Sequence, residues 1–222
     1  MWQPFRNKNY PEYWNDYASN FKKNSNKELN QQRFVVFDTE TTGLHVLKDR
    51  VLSIGAISVI GNVIDVSDGF ELYLKQDKFN KETVEIHGII KGGEIEKVEE
   101  EEAINLFLDY LKDAVLVAHH AAFDVSMINN MLKRLELPKL KNKVLDTGIL
   151  FKKTNLHDQS KQHYGLDDLC EIFNVKKHDR HTASGDAYIT ALIFLKILSS
   201  LKKTKKITLN DLFFNSNRRG LL

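Results

Sequence analysis

Two acidic residues stand one position apart at the end of an apolar stretch, "RFVVFDTETTGL" (33–44). Side chains alternate between the two faces of a β-strand, so Asp38 and Glu40 share one face and Thr39 points to the other. Two carboxylates this close, partly withdrawn from water, repel each other unless a cation compensates or one takes a proton. Oxygen ligands favour Mg²⁺ or Mn²⁺ over zinc. Taken alone, however, the pattern fits a solvated strand edge or turn better than a metal site.

Two later segments carry further acids in comparable positions. "LVAHHAAFDVSM" (116–127) places Asp124 just after an apolar strand, in the opening turn of a helix. "HDRHTASGDAYITALIFLKIL" (178–198) places Asp186 at the start of another helix, with His181 five residues before it. Thr182 or Ser184 can cap that helix, which leaves His181 on the loop that leads into it. The helix dipole alone is enough to explain an acid at the start of a helix. Each segment is therefore weak evidence for a metal site, whereas the three segments together, in this order, are informative.

The elements that must hold these residues alternate between strands and helices. "RFVVFDTE", "VLSIGAISVI" and "SDGFELYLK" predict three successive strands of an antiparallel meander, rich in β-branched and aromatic residues. Helical spacing in "EEAINLFLDYLKD", a strand at "AVLVAHH" and a helix at "FDVSMINNMLKRLEL" follow. A strand near "KVLDT", a helix at "LDDLCEIFNV" and a long helix from about Thr182 to Lys203 complete the order. We expect an α/β protein with a mixed sheet flanked by helices.

Composition separates three zones in the 222 residues. Residues 1–32 form an aromatic-rich extension, for which we predict a short helix that packs onto its own domain rather than onto a partner. Residues 33–201 form the catalytic-sized domain, and residues 202–222 form a basic tail.

The overall composition sets the class of protein. A hydrophobic fraction of 42%, a charged fraction of 28% and no apolar run near the roughly 18 residues of a membrane span predict a soluble protein. The absence of a signal peptide pattern and the single cysteine, Cys170, favour a reducing, cytoplasmic setting. The net charge of +2 says little about partners.

Three motifs, "FDTETTGL", "HHAAFDVSM" and "HTASGDAYIT", together resemble a known family. They are similar to the three exonuclease motifs of the DEDD superfamily, in the DEDDh branch, where a His stands five residues before the last Asp. Within that branch the chain resembles the proofreading epsilon subunits of bacterial DNA polymerase III and related stand-alone exonucleases. The resemblance covers residues 33–200 and implies a ribonuclease H-like fold with a mixed five-stranded sheet.

The resemblance also implies the catalytic roles. Asp38, Glu40, Asp124 and Asp186 would hold two divalent ions, Mg²⁺ or Mn²⁺, and His181 would be the general base. Elementary chemistry agrees, because two such ions can serve an in-line displacement at a phosphodiester, and a His with a pKa near 6.5 can accept a proton at neutral pH.

The substrate contacts follow from the same resemblance. The "TTGL" turn would lie beside the 3′-terminal nucleotide, with Leu44 under the last base, and His87 would line the nucleotide pocket. Phe123 would either stack on a base or pack into the core, and His120 stands where the family often has Asn. The predicted substrate-binding residues are Thr41, Thr42, Gly43, Leu44, His87, His120 and Phe123.

The resulting hypothesis is a metal-dependent 3′→5′ exonuclease that releases nucleoside monophosphates from DNA ends. An exoribonuclease of the same superfamily, of the ribonuclease T or oligoribonuclease type, is the alternative enzyme, and a catalytically silent nucleic-acid-binding module is the alternative from another class. We expect a partner with a free 3′ end, most naturally single-stranded DNA. No polymerase domain fits in this length, so a separate DNA polymerase is a further expected partner. "ITLNDLFF" (207–214) faintly resembles peptides that dock on sliding clamps, although folding onto its own domain is the preferred interpretation.

Overall fold

The computed structural model of the chain describes residues 9–22, 27–78, 80–90 and 95–214. Residues 1–8 of the aromatic extension and 215–222 of the basic tail therefore lie outside the described residues. The strands are β1 (Arg33–Thr41), β2 (Val51–Ile60), β3 (Val63–Tyr73), β4 (Val115–Ala118) and β5 (Val144–Asp146). The helices are α1 (Glu12–Ser19), α2 (Lys81–His87), α3 (Glu100–Leu111), α4 (Ala122–Arg134), α5 (Thr147–Phe151), α6 (Leu166–Phe173), α7 (Ala183–Thr204) and α8 (Leu209–Phe213).

The five strands form one mixed sheet in the order β3-β2-β1-β4-β5. β1 pairs antiparallel with β2 and β2 with β3, which is the predicted meander. β1 and β4, and β4 and β5, pair in parallel. The carboxyl ends of β1, β4 and β5 consequently meet at one edge, beside the point where strand direction changes, which is the usual place for a binding site in an open α/β sheet. The predicted mixed five-stranded sheet flanked by helices is confirmed.

Both faces of β1 are buried, which explains why its apolar run is nearly continuous. Phe34 and Val36 pack on one face among side chains of α5, α6 and α7, and Val35 and Phe37 pack on the other among side chains of α1, α3 and α4. β1 is therefore held rigidly between two apolar layers, and Asp38 and Glu40 continue directly from this support.

The segments at the two ends of the described chain pack onto the same domain. Trp14 and Tyr17 of α1 are buried, and the Tyr17 hydroxyl donates to Asn142 Oδ1 at 2.6 Å while it accepts from the Lys141 N–H at 2.7 Å. At the other end Leu212 of α8 is buried, and its carbonyl accepts a hydrogen bond from Lys153 Nζ at 2.7 Å. The division of the chain into the three predicted zones stays a prediction.

α7 is the central helix on the face of the sheet that also packs against α5 and α6. Among the described helices it is long and apolar enough to cross a membrane by length and composition alone. More than half of its apolar window is buried inside the protein, however, where Ile193, Phe194 and Ile197 pack against the sheet. This burial is that of a core helix.

Candidate active site

Asp38 and Glu40 lie near the carboxyl end of β1, and both are half-buried. In the register with β2, Asp38 is opposite Gly55 and Glu40 is opposite Ser53. Strand alternation directs the two carboxylates to the face of the sheet that α7 covers. The pair thus faces the start of α7.

Gly55 allows the first turn of α7 to approach the sheet closely. A Cβ atom at this position would lie 2.2 Å from the carbonyl carbon of Ala183 and 2.2 Å from the nitrogen of Ser184. The first turn is fixed by Thr182, whose Oγ1 caps the helix by accepting from the Gly185 N–H at 3.1 Å. Asp186 is in this turn, so the absence of a side chain at Gly55 brings it to the acids of β1.

Asp38, Glu40 and Asp186 form a cluster in which one oxygen of each carboxylate lies within 4.8 Å of the others. Burial, with repulsion from the neighbouring acids, raises the pKa of Asp38 well above its ordinary value and raises the pKa of Glu40 to about 7. Asp186 Oδ1 is buried and has no hydrogen-bond partner among the described residues. An all-oxygen cluster with an unpaired buried oxygen fits a hard divalent cation.

Asp124 lies next to this cluster but outside it. It is buried at the start of α4, and its Oδ1 accepts from the Thr39 N–H at 3.0 Å and from the Thr39 hydroxyl at 2.7 Å. Burial raises the pKa of Asp124 to about 7, although the two bonds from Thr39 oppose that rise. Asp124 also contributes to the raised pKa of Asp38, so the two carboxylates are close enough to interact. One oxygen of Asp124 is thus already engaged by β1.

His181 is exposed on the loop before α7, in the left-handed region with φ of 64°. Its backbone N–H donates to Asp186 Oδ2 at 3.3 Å. The loop packs tightly on α7, because a Cβ atom at Gly185 would lie 2.0 Å from the carbonyl oxygen of Asp179. The imidazole is therefore carried by a fixed backbone beside the acidic cluster.

Arg180, which is not among the predicted site residues, supplies a positive charge beside the acidic cluster. Its Nη1 donates to Asp186 Oδ2 at 2.5 Å and its Nε donates to Asp167 Oδ1 at 3.0 Å. The guanidinium thereby connects α6 to the first turn of α7 and partly compensates the acidic cluster. The position of Arg180 next to His181 in "DRHT" was the signal in the sequence that could have pointed to it. Its pairing with Asp167, however, depends on how α6 packs beside α7.

The "TTGL" turn after β1 is held by its own hydrogen bonds. The Thr41 hydroxyl donates to the Gly43 carbonyl at 2.9 Å, and the Thr42 hydroxyl donates to Asp49 Oδ1 at 3.1 Å. Leu44 is 85% exposed. A cleft of about 600 Å³ runs along the turn. The turn therefore offers backbone groups and one apolar side chain at an open cleft.

Asp49 is a residue of this turn that sequence reasoning missed. It is buried, and its Oδ2 accepts from the His45 N–H at 2.8 Å while its Oδ1 accepts from Lys78 Nζ at 2.7 Å. Burial acts to raise its pKa, but the bonds from Lys78, His45 and Thr42 outweigh this and lower it. Gly43 packs so closely that a Cβ atom there would lie 2.6 Å from Asp49 Oδ2.

The remaining predicted substrate residues differ in position. His87 is buried, its Nδ1 accepts from the Ile89 N–H at 3.0 Å, and burial lowers its pKa. Phe123 is half-buried and packs against the α4 side of the core. His120 is exposed at φ of 57°, with its ring against that of His119.

These features define a class: an α/β sheet with three clustered carboxylates at the edge where parallel strands end, and a His on the adjoining loop. Comparison with protein families matches residues 35–194 to the RNase_T family, described as exonuclease. The chain belongs to this exonuclease family. The predicted resemblance to DEDDh-type exonucleases and the prediction that the chain is a 3′→5′ exonuclease are confirmed.

The chain is 40% identical over 171 residues to the "DNA polymerase III PolC-type" of Caldanaerobacter subterraneus subsp. tengcongensis, a match that covers 77% of the chain. It is 33% identical over 172 residues to the protein of the same description from Bacillus subtilis, again over 77% of the chain. The match covers only 12% of each relative's length. Among solved structures, E. coli exonuclease I in complex with a dT13 oligonucleotide matches with a TM-score of 0.66 at 17% identity, over 78% of this chain and 42% of that one. This likeness shows a shared fold.

Proposed function

We propose that the chain hydrolyses phosphodiester bonds at the 3′ ends of DNA and releases nucleoside monophosphates in a metal-dependent reaction. The observation that carries this proposal is the cluster of Asp38, Glu40 and Asp186, with its unpaired buried oxygen, beside the exposed His181. A site that gathers this much negative charge needs cations to approach a phosphate.

Asp38, Glu40 and Asp186 would hold divalent metal, and Asp124, fixed by its two hydrogen bonds from Thr39, would complete the ligand set from the neighbouring position. We propose that these carboxylates would hold two ions, Mg²⁺ or Mn²⁺. When bound, such ions lower the pKa of a water and stabilise the charge on the attacking and leaving oxygens of an in-line displacement.

His181 is proposed as the general base. Its exposure leaves the imidazole free to reach a water, and its backbone bond to Asp186 keeps it close to the carboxylates. An imidazole accepts a proton near neutral pH, which is typically worth about 10²- to 10⁴-fold in rate.

The "TTGL" turn is proposed to bind the terminal nucleotide. Leu44, exposed beside the cleft, offers an apolar surface to the last base, and Thr41 and Thr42 would lie near the terminal hydroxyl. His87 and His120 would be outer contacts. Phe123 would contribute chiefly by packing, since it is half-buried against the core.

DNA is the proposed substrate because the relatives are described as DNA polymerases and a structural neighbour was solved with a DNA oligonucleotide. For the same reason we propose that the chain works with a DNA polymerase in replication or repair, and the proposed setting is the cytoplasm. Leu212 of "ITLNDLFF" is buried in its own domain, which supports the preferred interpretation that this segment folds onto the domain rather than onto a sliding clamp.

The test is release of mononucleotides from 3′-labelled single strands of one sequence, as DNA and as RNA, with Mg²⁺ or Mn²⁺. We expect faster release from DNA, loss of release in Asp38→Asn, and about 10²- to 10⁴-fold slower release in His181→Ala. Asp109→Asn, an equal charge change on the exposed face of α3, is the matched control. Equal activity of wild type and Asp38→Asn would refute the catalytic proposal. Faster release from RNA than from DNA would show that RNA, not DNA, is the preferred substrate.

Thermal unfolding supplies a second measurement that does not depend on turnover. In EDTA, Asp38→Asn should be more stable than wild type because it removes one of the repelling carboxylates. Mn²⁺ should raise the Tm of wild type and of His181→Ala, but not that of Asp38→Asn. A lost Mn²⁺ response in His181→Ala would instead make His181 a metal ligand.

A further inference from the structure

One face of α7 is open to solvent while its other faces are buried. Tyr188 is 40% exposed, Lys196, Lys202 and Lys203 are exposed, and Leu192 is half-buried. These positions recur at spacings that place them on one stripe of a helix. The stripe begins at Tyr188, two residues after the buried Asp186, so it starts about 200° around the helix from that carboxylate and runs away from the acidic cluster along the helix axis.

The far half of this stripe is positively charged and open. Lys196, Lys202 and Lys203 line a groove of about 500 Å³ together with Leu195, Ser199 and Asn62, and none of these lining residues is acidic. In the described part of the chain these three lysines take no part in a salt bridge, and Lys202 Nζ donates only to Asn62 Oδ1, at 3.3 Å. The charge of the groove is therefore available to a ligand.

The positive charge continues beyond the end of α7. A second groove of about 660 Å³ shares Lys202 with the first and adds Lys143 and Lys206. Glu28 is the acidic residue in its described lining, and Lys27 is already paired with Asp113 at 3.2 Å. The two grooves form one continuous basic surface.

At the opposite end, near the acidic cluster, the stripe has an aromatic side chain instead of lysines. The nearby carboxylate of Glu71 on β3 is engaged by the Ser184 hydroxyl at 2.6 Å and by the Tyr73 hydroxyl at 3.2 Å. An exposed aromatic ring followed by a basic groove is the combination that binds single strands, through base stacking and phosphate neutralisation.

We propose that this stripe, Tyr188 to Lys203, is a track for single-stranded nucleic acid, which we call the α7 track. It rests on the proposed function, because the 3′ end of the strand would lie at the acidic cluster, and the strand would cross the first turn of α7 to Tyr188 before it reaches the lysines. Along a helix that rises 1.5 Å per residue, Lys196 lies about 15 Å and Lys203 about 25 Å from Asp186. If the strand kept the spacing of about 3.4 Å per nucleotide that it has in a duplex, only strands longer than roughly four nucleotides would reach the lysines.

The experiment compares full-length wild type with the triple variant Lys196→Gln, Lys202→Gln, Lys203→Gln. Binding of dT16 is measured by fluorescence anisotropy in EDTA over a range of NaCl concentrations, so that no cleavage takes place. With about 0.7 counterions released per phosphate contact on a single strand, the slope of log K against log[salt] should fall by about 2. The variant Lys133→Gln, Lys139→Gln, Lys141→Gln, an equal charge change on and after α4, should keep the wild-type slope.

Tyr188 is tested separately from the lysines. Loss of a base-stacking ring should weaken dT16 binding about fivefold or more in Tyr188→Ala, whereas Tyr188→Phe should bind as wild type does. Release of the first nucleotide from dT3, measured with Mn²⁺, should be the same in the triple lysine variant and in wild type. If wild type released nothing from dT3, the proposed function would fail, while the binding experiment would still decide whether the track exists.

Three results would overturn the α7 track. The first is an unchanged salt slope in the triple variant, or an equal fall in the control variant. The second is equal loss of activity on dT3 and dT16. The third is displacement of dT16 by a 16-residue poly-glutamate peptide at equal concentration, which would assign the surface to an acidic protein partner.

Discussion

A methyl group added at Gly55 should disable the site although Gly55 carries no chemistry. In Gly55→Ala the new Cβ atom would lie 2.2 Å from backbone atoms of Ala183 and Ser184, whereas ordinary contacts lie at 3.4–4 Å. Because these are backbone atoms, no side chain can rotate away. In a close-packed interior the start of α7 and β2 must therefore separate by about 1 Å or more.

The expected size of the effect follows from that displacement. Overpacking of this kind costs about 1–3 kcal/mol of unfolding free energy. For a chain of this size each kcal/mol lowers the Tm by about 2–4 °C. Asp186 moves with the first turn of α7, and a misplacement near 1 Å can lower a rate about 10²-fold. The loss of activity should thus exceed what the loss of stability alone would produce.

The assay measures kcat for mononucleotide release at a temperature well below the Tm of the variant, together with the Tm in EDTA and in Mn²⁺. Gly165→Ala is the matched control, because a Cβ atom there meets only Asp168 Oδ2, at 3.7 Å. We expect the control to keep kcat and the Mn²⁺ response, and Gly55→Ala to lose most of both. A Gly55→Ala protein with the kcat and metal response of the control would refute this account of the site.

Three further substitutions test contacts around the site. Tyr17→Phe should lower the free energy of unfolding by about 1–3 kcal/mol in chemical denaturation, because two buried hydrogen bonds lose their partner; an unchanged midpoint would contradict this. Asp49→Asn should raise KM about tenfold with little change in kcat, because the turn loses its charged anchor to Lys78; a selective fall in kcat would argue otherwise. Arg180→Gln should tighten Mn²⁺ binding in calorimetry without nucleic acid, since it removes a cation from Asp186; weaker binding would show that Arg180 organises the site instead.

The main elements followed from local patterns in the sequence. The apolar run before Asp38 and the two strands after it predicted the meander, which the structure has as β1, β2 and β3. The terminal helix was predicted from about Thr182 to Lys203 and spans Ala183–Thr204. These predictions succeed because caps and periodicity are properties of neighbouring residues. α2 was not predicted as a helix, and of its residues only His87 was considered, as part of the nucleotide pocket.

Partner choice inside the site could not be predicted in this way. Strand alternation correctly turned Thr39 away from Asp38 and Glu40, but only the crossing of β1 by the start of α4 makes Thr39 the partner of Asp124. The order of motifs placed Asp124 with the other acids, and in the structure it lies beside the cluster of three, close enough to raise the pKa of Asp38. Such contacts join residues more than 80 positions apart, for which periodicity gives no information.

The strongest constraint on the site comes from a residue outside the three motifs. Asp38 and Glu40 belong to β1 and Asp186 to α7, so their distance depends on how closely that helix packs on the sheet, and Gly55 of β2 decides this. Repulsion among the acids favours a wider separation when no cation is present. The dense packing of α7 on Gly55 opposes that separation. Burial of the apolar residues of both core layers supplies the free energy that keeps α7 packed on the sheet. Core packing therefore preorganises the proposed metal site, and we expect small changes in that packing to alter metal binding before they unfold the protein.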